Sequence, residues 1–191
     1  MKRVVATLLL LTALASACAF SFPRNPIDHT LKSIVRIASV DPESGEPTVC
    51  TGFVVAPKYA ITAAHCIVDP ENFTVDGERS VLFTQDAQFA LVAAGDKPAL
   101  KLTTKLRLQE PVITFGYAWG DLLVFSRRVA IFKDADWAMD GPLAPGMSGG
   151  PTVNQAGEVV GLNQAANSII GIDCGVEEIQ QFLNFLSAAR P

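Results

Sequence analysis

Length, composition and charge limit this chain to a single domain and argue against nucleic acid as its main partner. The 191 residues, 49% of them hydrophobic, suffice for one domain with a sizeable core. Fifteen basic and 19 acidic residues give a net charge of −4 at pH 7, and no block of like charges occurs.

The first 17 residues have the three parts of an export signal peptide. Lys2 and Arg3 supply the positive start, residues 4–14 the apolar run, and residues 15–17 (ASA) the small-residue cleavage region. The apolar run is too short for a membrane span, which takes about 20 residues. We therefore expect the mature chain to begin near Cys18, outside the cytoplasm.

Cys18 leaves two fates open for the mature N-terminus. Residues 14–18 (LASAC) resemble a permissive bacterial lipobox, after which the protein would be attached to a membrane through a lipid on Cys18. Ordinary signal peptidase could instead cut after Ala17 and release a periplasmic or secreted protein. Residues 18–30 contain two prolines and no periodicity, so we expect a tether or extended arm in which His29 is a surface residue.

From Leu31 onwards the chain is predicted to form short strands separated by turn residues. The predicted strands cover residues 34–38, 49–55, 59–63, 80–83, 89–92, 111–115, 122–132, 152–153 and 159–162. Many short strands with frequent turns favour an all-β sandwich or barrel. The one clear helix covers residues 176–189, where apolar residues recur at steps of three and four behind Glu177 and Glu178.

Ser148 lies in a glycine-rich loop, residues 146–151 (GMSGGP), that has no amphipathic period. Glycine permits backbone conformations closed to other residues and lets a ligand approach the main chain. Such a loop can present the serine hydroxyl while aiming backbone N–H groups at one point. Acyl transfer needs both features, a nucleophile and donors for the oxyanion that develops on the attacked carbonyl.

His65 follows an apolar, strand-like run in residues 61–66 (ITAAHC). This motif and the loop around Ser148 resemble the signatures of trypsin-like serine peptidases, and the order of histidine and serine also matches. The resemblance covers roughly residues 31–186. It implies an all-β chymotrypsin fold of two six-stranded antiparallel barrels with a C-terminal α-helix, divided near residues 105–110, and a peptidase domain over residues 31–191.

The resemblance also implies roles for individual residues. Ser148 would be the nucleophile and His65 the base, while the backbone N–H groups of Gly146 and Ser148 would form the oxyanion hole. Animal relatives carry an aspartate just before the serine that pairs with a new N-terminus. Because Met147 stands there instead, we expect packing to set the loop.

The cysteines are interpreted in the same way. Relatives close the histidine loop with a disulfide, so we predict a bond between Cys50 and Cys66, which an exported protein can keep. If Cys18 is acylated, Cys174 has no partner; otherwise a bond between these two is open. This assignment leaves no metal site.

The acid behind His65 is open between three residues. In HtrA-like relatives it begins a pattern such as DLALL, and residues 88–92 (QFALV) put Gln88 at that place. Asp86 lies two residues earlier and would point to the same face of a regular strand. Asp96 fits a turn better. We choose Asp86 as the third member of the triad.

The substrate pocket is expected to be mostly apolar. Its predicted walls are Asp140, Gly141, Pro142 and Leu143 before the nucleophile, and Gly161, Leu162 and Asn163 with the two residues that follow. Neither stretch contains a basic residue, which disfavours acidic side chains at P1, the substrate residue before the cleaved bond. We interpret Asp140 as a solvated turn acid.

Together these features indicate an exported serine endopeptidase that acts on protein or peptide substrates without a cofactor. The alternative is a catalytically weak trypsin-like module that serves in binding, which would follow if Gln88 replaced the acid. An α/β-hydrolase esterase is excluded because its histidine follows the serine, whereas both histidines here precede Ser148.

Overall fold

The computed structural model describes residues 25–133, 136–166, 170–175, 180–181 and 184. The predicted signal peptide and Cys18 therefore lie outside the described residues, as does most of the predicted helix over residues 176–189. Residues 180, 181 and 184 of that helix are described, and they are helical. None of the described helices is long and apolar enough to cross a membrane.

The first half of the chain forms a seven-stranded antiparallel sheet. Its strands are β1 (Ile34–Val40), β2 (Pro47–Ala56), β3 (Tyr59–Ala63), β4 (Phe73–Val75), β5 (Glu78–Arg79), β6 (Leu82–Gln85) and β7 (Phe89–Ala93). The spatial order is β5-β4-β1-β2-β3-β7-β6, so β3 lies between β2 and β7. A short 3-10 helix, Ala64–Cys66, directly continues β3.

The second half forms a closed six-stranded barrel. Its strands are β8 (Pro111–Ala118), β9 (Leu122–Lys133), β10 (Asp136–Asp140), β11 (Pro151–Val153), β12 (Val159–Ala166) and β13 (Ile170–Gly175). The barrel order is β10-β13-β12-β11-β8-β9. The segment between β10 and β11 contains Ser148, so barrel closure brings the glycine-rich loop back over β8 and β12.

The predicted all-β fold with two antiparallel halves is confirmed, although the first half is a seven-stranded sheet instead of a six-stranded barrel. The strands β4, β5, β10 and β13 were not predicted. β4 and β5 have only three and two residues, too few to show an alternating pattern. β13 contains Gly171, Asp173 and Gly175, which are depleted in strands.

One hydrophobic cluster joins the two halves. Phe53, Phe73 and Phe89 from the sheet are fully buried, as is Phe115 from the barrel, and all four belong to the same cluster. Burying one such side chain stabilises the fold by about 1.5–3 kcal/mol relative to leaving it exposed. The shared core therefore holds the sheet against the barrel, and the glycine-rich loop around Ser148 lies between them.

The expected extended arm is wrong for its last residues, because Pro26–Ser33 form helix α1. Asn25 caps the helix by accepting a hydrogen bond from the N–H of Ile27 at 3.1 Å. Pro26 stands at the first turn, where its missing N–H costs nothing. Prolines without periodicity favour an extended chain, whereas Pro26 begins a helix whose Ile27 and Leu31 pack on the core.

Candidate active site

His65 is carried by the short 3-10 helix at the end of β3. The N–H of Ala64 donates to the carbonyl oxygen of Gln88 at 2.8 Å, and the Gln85 amide donates to the carbonyl oxygen of Ala64 at 3.0 Å. On the other side, Cys66 forms the predicted disulfide with Cys50, with the two Cα atoms 5.8 Å apart. The backbone on both sides of His65 is therefore held in place.

The His65 residue is exposed overall, while its neighbours Ala64 and Cys66 are buried. Loss of water around the ring nevertheless lowers the pKa of the imidazole below its usual value. No charged group contributes to this shift, and none of the ion pairs between described residues includes His65. The neutral ring, which is the form that accepts a proton, is thus favoured.

The backbone of Ser148 contacts the first half of the chain beside His65. The carbonyl oxygen of Ser148 accepts the N–H of Thr51 at 2.8 Å and lies 3.7 Å from the sulfur of Cys66. Cys66 is the residue after the histidine. The structure therefore brings the two motifs together across the junction of sheet and barrel.

The glycines after the serine are needed because the loop fits tightly. A Cβ on Gly149 would collide with the carbonyl oxygen of Thr51 and the hydroxyl of Thr62, and one on Gly150 would collide with the carbonyl oxygen of Phe115. Gly149 also has φ of +81°, which side chains rarely adopt. Sheet and barrel thus enclose this loop from both sides.

The backbone N–H groups around Ser148 fall into two sets, those bonded within the chain and those without an acceptor. Those of Met147, Gly149 and Gly150 donate to backbone carbonyls of Ala144, Asn163 and Met147 at 3.1, 2.7 and 3.0 Å. The N–H groups of Gly146 and Ser148, in contrast, have no acceptor within the described part of the chain. These two are the donors that the sequence predicted for the oxyanion hole.

Packing against the barrel holds the loop around Ser148 in place, as expected for a loop with Met147 where animal relatives have aspartate. Met147 is 4% exposed and presses on Gly116, where a Cβ would lie 2.7 Å from the Met147 Cα. The Asn163 amide donates to the carbonyl oxygens of Met147 and Phe115 at 3.1 and 3.0 Å. Its oxygen accepts the hydroxyls of Thr114 and Thr152, so every polar atom of this buried amide has a partner.

Asp86 lies in the loop that supports the histidine turn. One carboxylate oxygen accepts the N–H groups of Gln88 and Phe89, both at 2.7 Å. Gln88 in turn accepts from Ala64, and its side chain is exposed. Asp96 lies exposed in the turn after β7. Asp86 and Gln88 thus both belong to the segment that contacts the residue before His65, and among the described residues neither side chain bonds to the His65 ring.

The residues predicted to line the substrate pocket differ in exposure and in their contacts. Asp140 is exposed, and its carboxylate accepts the N–H of Val129 at 2.5 Å, as expected for a turn acid. Gly161 and Asn163 lie in β12, but Leu162 is fully buried in the main core and does not face a pocket.

Sequence reasoning missed a residue beside the first wall. The guanidinium of Arg128, from β9, donates to the carbonyl oxygen of Pro142 at 3.1 Å and contacts Gly141, which has no side chain to displace it. Only the pairing of β9 with its neighbours reveals this contact, because Arg128 is distant in sequence from both predicted walls.

A group of three side chains with metal-ligand atoms also surrounds the histidine. The ligand atoms of Cys50, His65 and Cys66 lie within 4.8 Å of one another. Both sulfurs are joined in the disulfide and are not thiolates, the form in which cysteine binds a metal. The oxidised protein therefore cannot use this group as a metal site.

Comparison with known proteins gives one family and several similar folds. Residues 50–162 match the family model of the trypsin-like peptidase domain. The active form of the Rv3671c protease from M. tuberculosis superposes with a TM-score of 0.73 at 22% identity, over 90% of this chain and 88% of that one. An inactive form of the same protease, a serine-to-alanine mutant, gives a TM-score of 0.71 at 21% identity, over 90% and 95%.

At these identities the solved structures support the fold alone. No curated protein sequence matches the chain significantly.

Proposed function

The chain belongs to the trypsin-like peptidase domain family, and from this premise we propose that it is an exported serine endopeptidase. Ser148 is the nucleophile, His65 the general base and then general acid, and Asp86 the residue that orients His65. The N–H groups of Gly146 and Ser148 bind the oxyanion. The substrate is a protein or peptide, and no cofactor takes part.

The observation that carries this proposal is the pair of available donors beside the serine. Within the described residues, the loop uses the N–H groups of Met147, Gly149 and Gly150 internally and leaves those of Gly146 and Ser148 for a ligand. Donors held in advance near a developing negative charge are often the largest single contribution to acyl-transfer catalysis. Because the other three N–H groups of the loop are bonded internally, these two are the ones left for a substrate oxygen.

The proposed reaction has two balanced steps. The Ser148 hydroxyl oxygen attacks the peptide carbonyl while its proton passes to His65. The resulting oxyanion accepts hydrogen bonds from the N–H groups of Gly146 and Ser148. The tetrahedral intermediate then breaks its C–N bond, and His65 gives the proton to the leaving amine. Water attacks the acyl-enzyme with His65 again as base, which releases the acid and restores the Ser148 hydroxyl.

Export is proposed from the leader and is supported by the disulfide. The Cys50–Cys66 bond suits an oxidising compartment such as the periplasm or the cell exterior. The mature chain would begin at Cys18, with a lipid on that cysteine or without one. Intact mass of the mature protein tests this: cleavage before Cys18 is expected, and an unprocessed Met1 after expression with an export pathway would contradict it.

The function is tested by incubating the folded mature protein with an unfolded polypeptide such as casein. We expect peptide fragments from the wild-type protein and none from Ser148→Ala. Ser44→Ala is the matched control, because Ser44 lies in an exposed turn far from Ser148 in the sequence. This variant should cleave casein as the wild type does. A folded wild-type protein that leaves casein and short peptides intact would contradict the proposal and favour the binding-module alternative.

A further inference from the structure

Arg128 brings a positive charge to the predicted substrate pocket, although neither predicted wall contains a basic residue. Its guanidinium donates to the carbonyl oxygen of Pro142 at 3.1 Å. It also occupies the space that a side chain would take at Gly141, whose φ is +105°. The arginine therefore lies against two consecutive residues of the first predicted wall.

Strand register places Arg128 on the face of the barrel that supports the nucleophile loop. Arg128 pairs with Val112 on β8, so the two side chains lie on the same face. Thr114, two residues after Val112, shares that face and donates its hydroxyl to Asn163, the residue that holds Met147. Arg128 thus lies on the same face as the hydrogen-bond network below Ser148.

The charge of Arg128 is not neutralised within the described residues. Arg36, Lys97 and Lys101 each form an ion pair with a carboxylate, whereas Arg128 forms none. Its Nε atom is buried and has no hydrogen-bond partner in that part of the chain. Asp140 is close along the chain, but its carboxylate binds the N–H of Val129 and makes no ion pair with the guanidinium.

A cation with no counter-charge beside it can form charge-assisted hydrogen bonds with a ligand of opposite charge. The planar guanidinium matches a carboxylate, with which it can form two parallel hydrogen bonds. A carboxylate on the substrate would therefore supply the counter-charge that the terminal nitrogens of Arg128 lack among the described residues, while the buried Nε atom stays out of its reach.

We propose that Arg128 selects an Asp or Glu side chain at the P1 position of the substrate. This inference rests on the proposed peptidase function, because P1 is defined only by the bond that Ser148 attacks. It replaces the sequence-based expectation of a mostly apolar pocket that disfavours acids. Arg128 is a specificity-determining residue in this role, and the carbonyl oxygen of Pro142 fixes its orientation.

The test compares fluorogenic peptides that differ only at P1, which is Glu, Gln, Leu or Lys. For the wild-type protein we expect kcat/KM to be roughly 10- to 100-fold higher for Glu than for its uncharged isostere Gln, as a charge-assisted hydrogen bond implies. This comparison needs no variant. Equal values for Glu and Gln would overturn the inference.

Variants of Arg128 distinguish a role in substrate selection from a purely structural role of this side chain. Arg128→Gln should lower kcat/KM for the Glu peptide by roughly 10- to 100-fold and leave the Leu peptide nearly unchanged. Arg127→Gln is the matched control, since Arg127 is exposed and points to the opposite face of β9. An equal loss for all four peptides in Arg128→Gln would mean that the arginine only supports the wall, and would overturn the inference.

Labelling with a fluorophosphonate keeps this inference distinct from the proposed function. Labelled wild-type protein without a preference for Glu would overturn the role of Arg128 and leave the peptidase proposal standing. Folded wild-type protein that neither labels nor cleaves any of the peptides would overturn both.

Discussion

Thr51 donates its backbone N–H to the carbonyl oxygen of Ser148 over 2.8 Å, and so ties the first half of the chain to the nucleophile. The Thr51 hydroxyl donates to the carbonyl oxygen of Gly146 at 2.7 Å and accepts the N–H of Tyr117 at 2.8 Å. Thr51 is fully buried. One residue of β2 therefore positions both peptide groups that flank the proposed oxyanion hole.

Thr51→Val removes that hydroxyl while keeping the shape of the side chain. It leaves the N–H of Tyr117 and the carbonyl oxygen of Gly146 without this partner, at about 1–3 kcal/mol for each buried group. Because a displacement of about 1 Å can cost about 100-fold in rate, we expect kcat to fall by about that factor with little change in KM. Steady-state kinetics on one peptide measure both constants.

Thr51→Ser keeps the hydroxyl and should retain most of the activity. Thr104→Val, at an exposed position, controls for the general effect of the exchange. Wild-type kcat in a folded Thr51→Val protein would show that the hydroxyl does not position the loop.

Asp86→Asn tests whether the charge of Asp86 acts on His65. The amide oxygen of asparagine can still accept the N–H groups of Gln88 and Phe89, so the loop should stay intact. If Asp86 orients the imidazole, kcat should fall by as much as about 10⁴, the usual effect of an amide in place of the triad acid. Single-turnover assays with a peptide ester give this rate.

Two further variants help to interpret the result for Asp86→Asn. Asp96→Asn should be as active as the wild type, and Asp86→Ala should also lower the melting temperature because the N–H groups lose their acceptor. Unchanged kcat in Asp86→Asn, together with a less stable Asp86→Ala, would limit Asp86 to supporting the loop.

The pH dependence of kcat/KM follows from the lowered pKa of His65. The base must be neutral to accept a proton, so kcat/KM should rise with pH through a pKa below the usual value of about 6.5 and then level off. A substrate without titratable groups near the cleaved bond gives the cleanest profile. A midpoint clearly above that value would contradict this prediction and would indicate that a carboxylate, such as that of Asp86, pairs with the ring.

The same shift predicts a small loss of stability in acid. The unfolded chain binds a proton at His65 more readily than the folded chain, because the folded pKa is the lower one. Stability from this group is therefore present above the unfolded pKa and falls as the pH decreases through the window between the two values.

The disulfide should contribute both stability and activity. Cys50 and Cys66 close a loop with a separation of 16 residues. Chain entropy gives about 3 kcal/mol for a loop of that size. The double variant with serine at both positions should therefore melt about 6–12 °C lower, as measured by calorimetry.

Activity of that variant should also fall, because Cys66 directly follows His65. A thiol reductant should lower the melting temperature of the wild-type protein and leave that of the double serine variant unchanged. Equal melting temperatures for wild type and variant without reductant would contradict the prediction.

The main elements of the site could be predicted because their signals are local in sequence. Only glycine fits directly after Ser148, because a Cβ there would collide with Thr51, Thr62 or Phe115. Such a requirement is visible in the sequence as a high local density of glycine. The histidine motif and the disulfide likewise followed from a resemblance to known motifs, and the disulfide is confirmed.

What could not be predicted depends on contacts between distant segments. Arg128 reaches the first predicted wall through the register of β9 and β10, in which Ala130 pairs with Met139, and no short motif specifies that register. Leu162 was expected in the wall because of its place after the nucleophile, yet the pleat of β12 turns it into the core. Helix α1 was missed for a different reason: its signal, a cap at Asn25 followed by a proline, is local, but a proline can either extend a chain or begin a helix.

The account depends most directly on Ser148 being an activated nucleophile beside two available N–H groups. Treating the folded mature protein with a fluorophosphonate and locating the adduct by peptide mass spectrometry measures this. We predict one adduct, on Ser148, absent in Ser148→Ala and formed much more slowly in His65→Ala. No adduct on the folded wild-type protein, or an adduct on a different serine, would contradict the account.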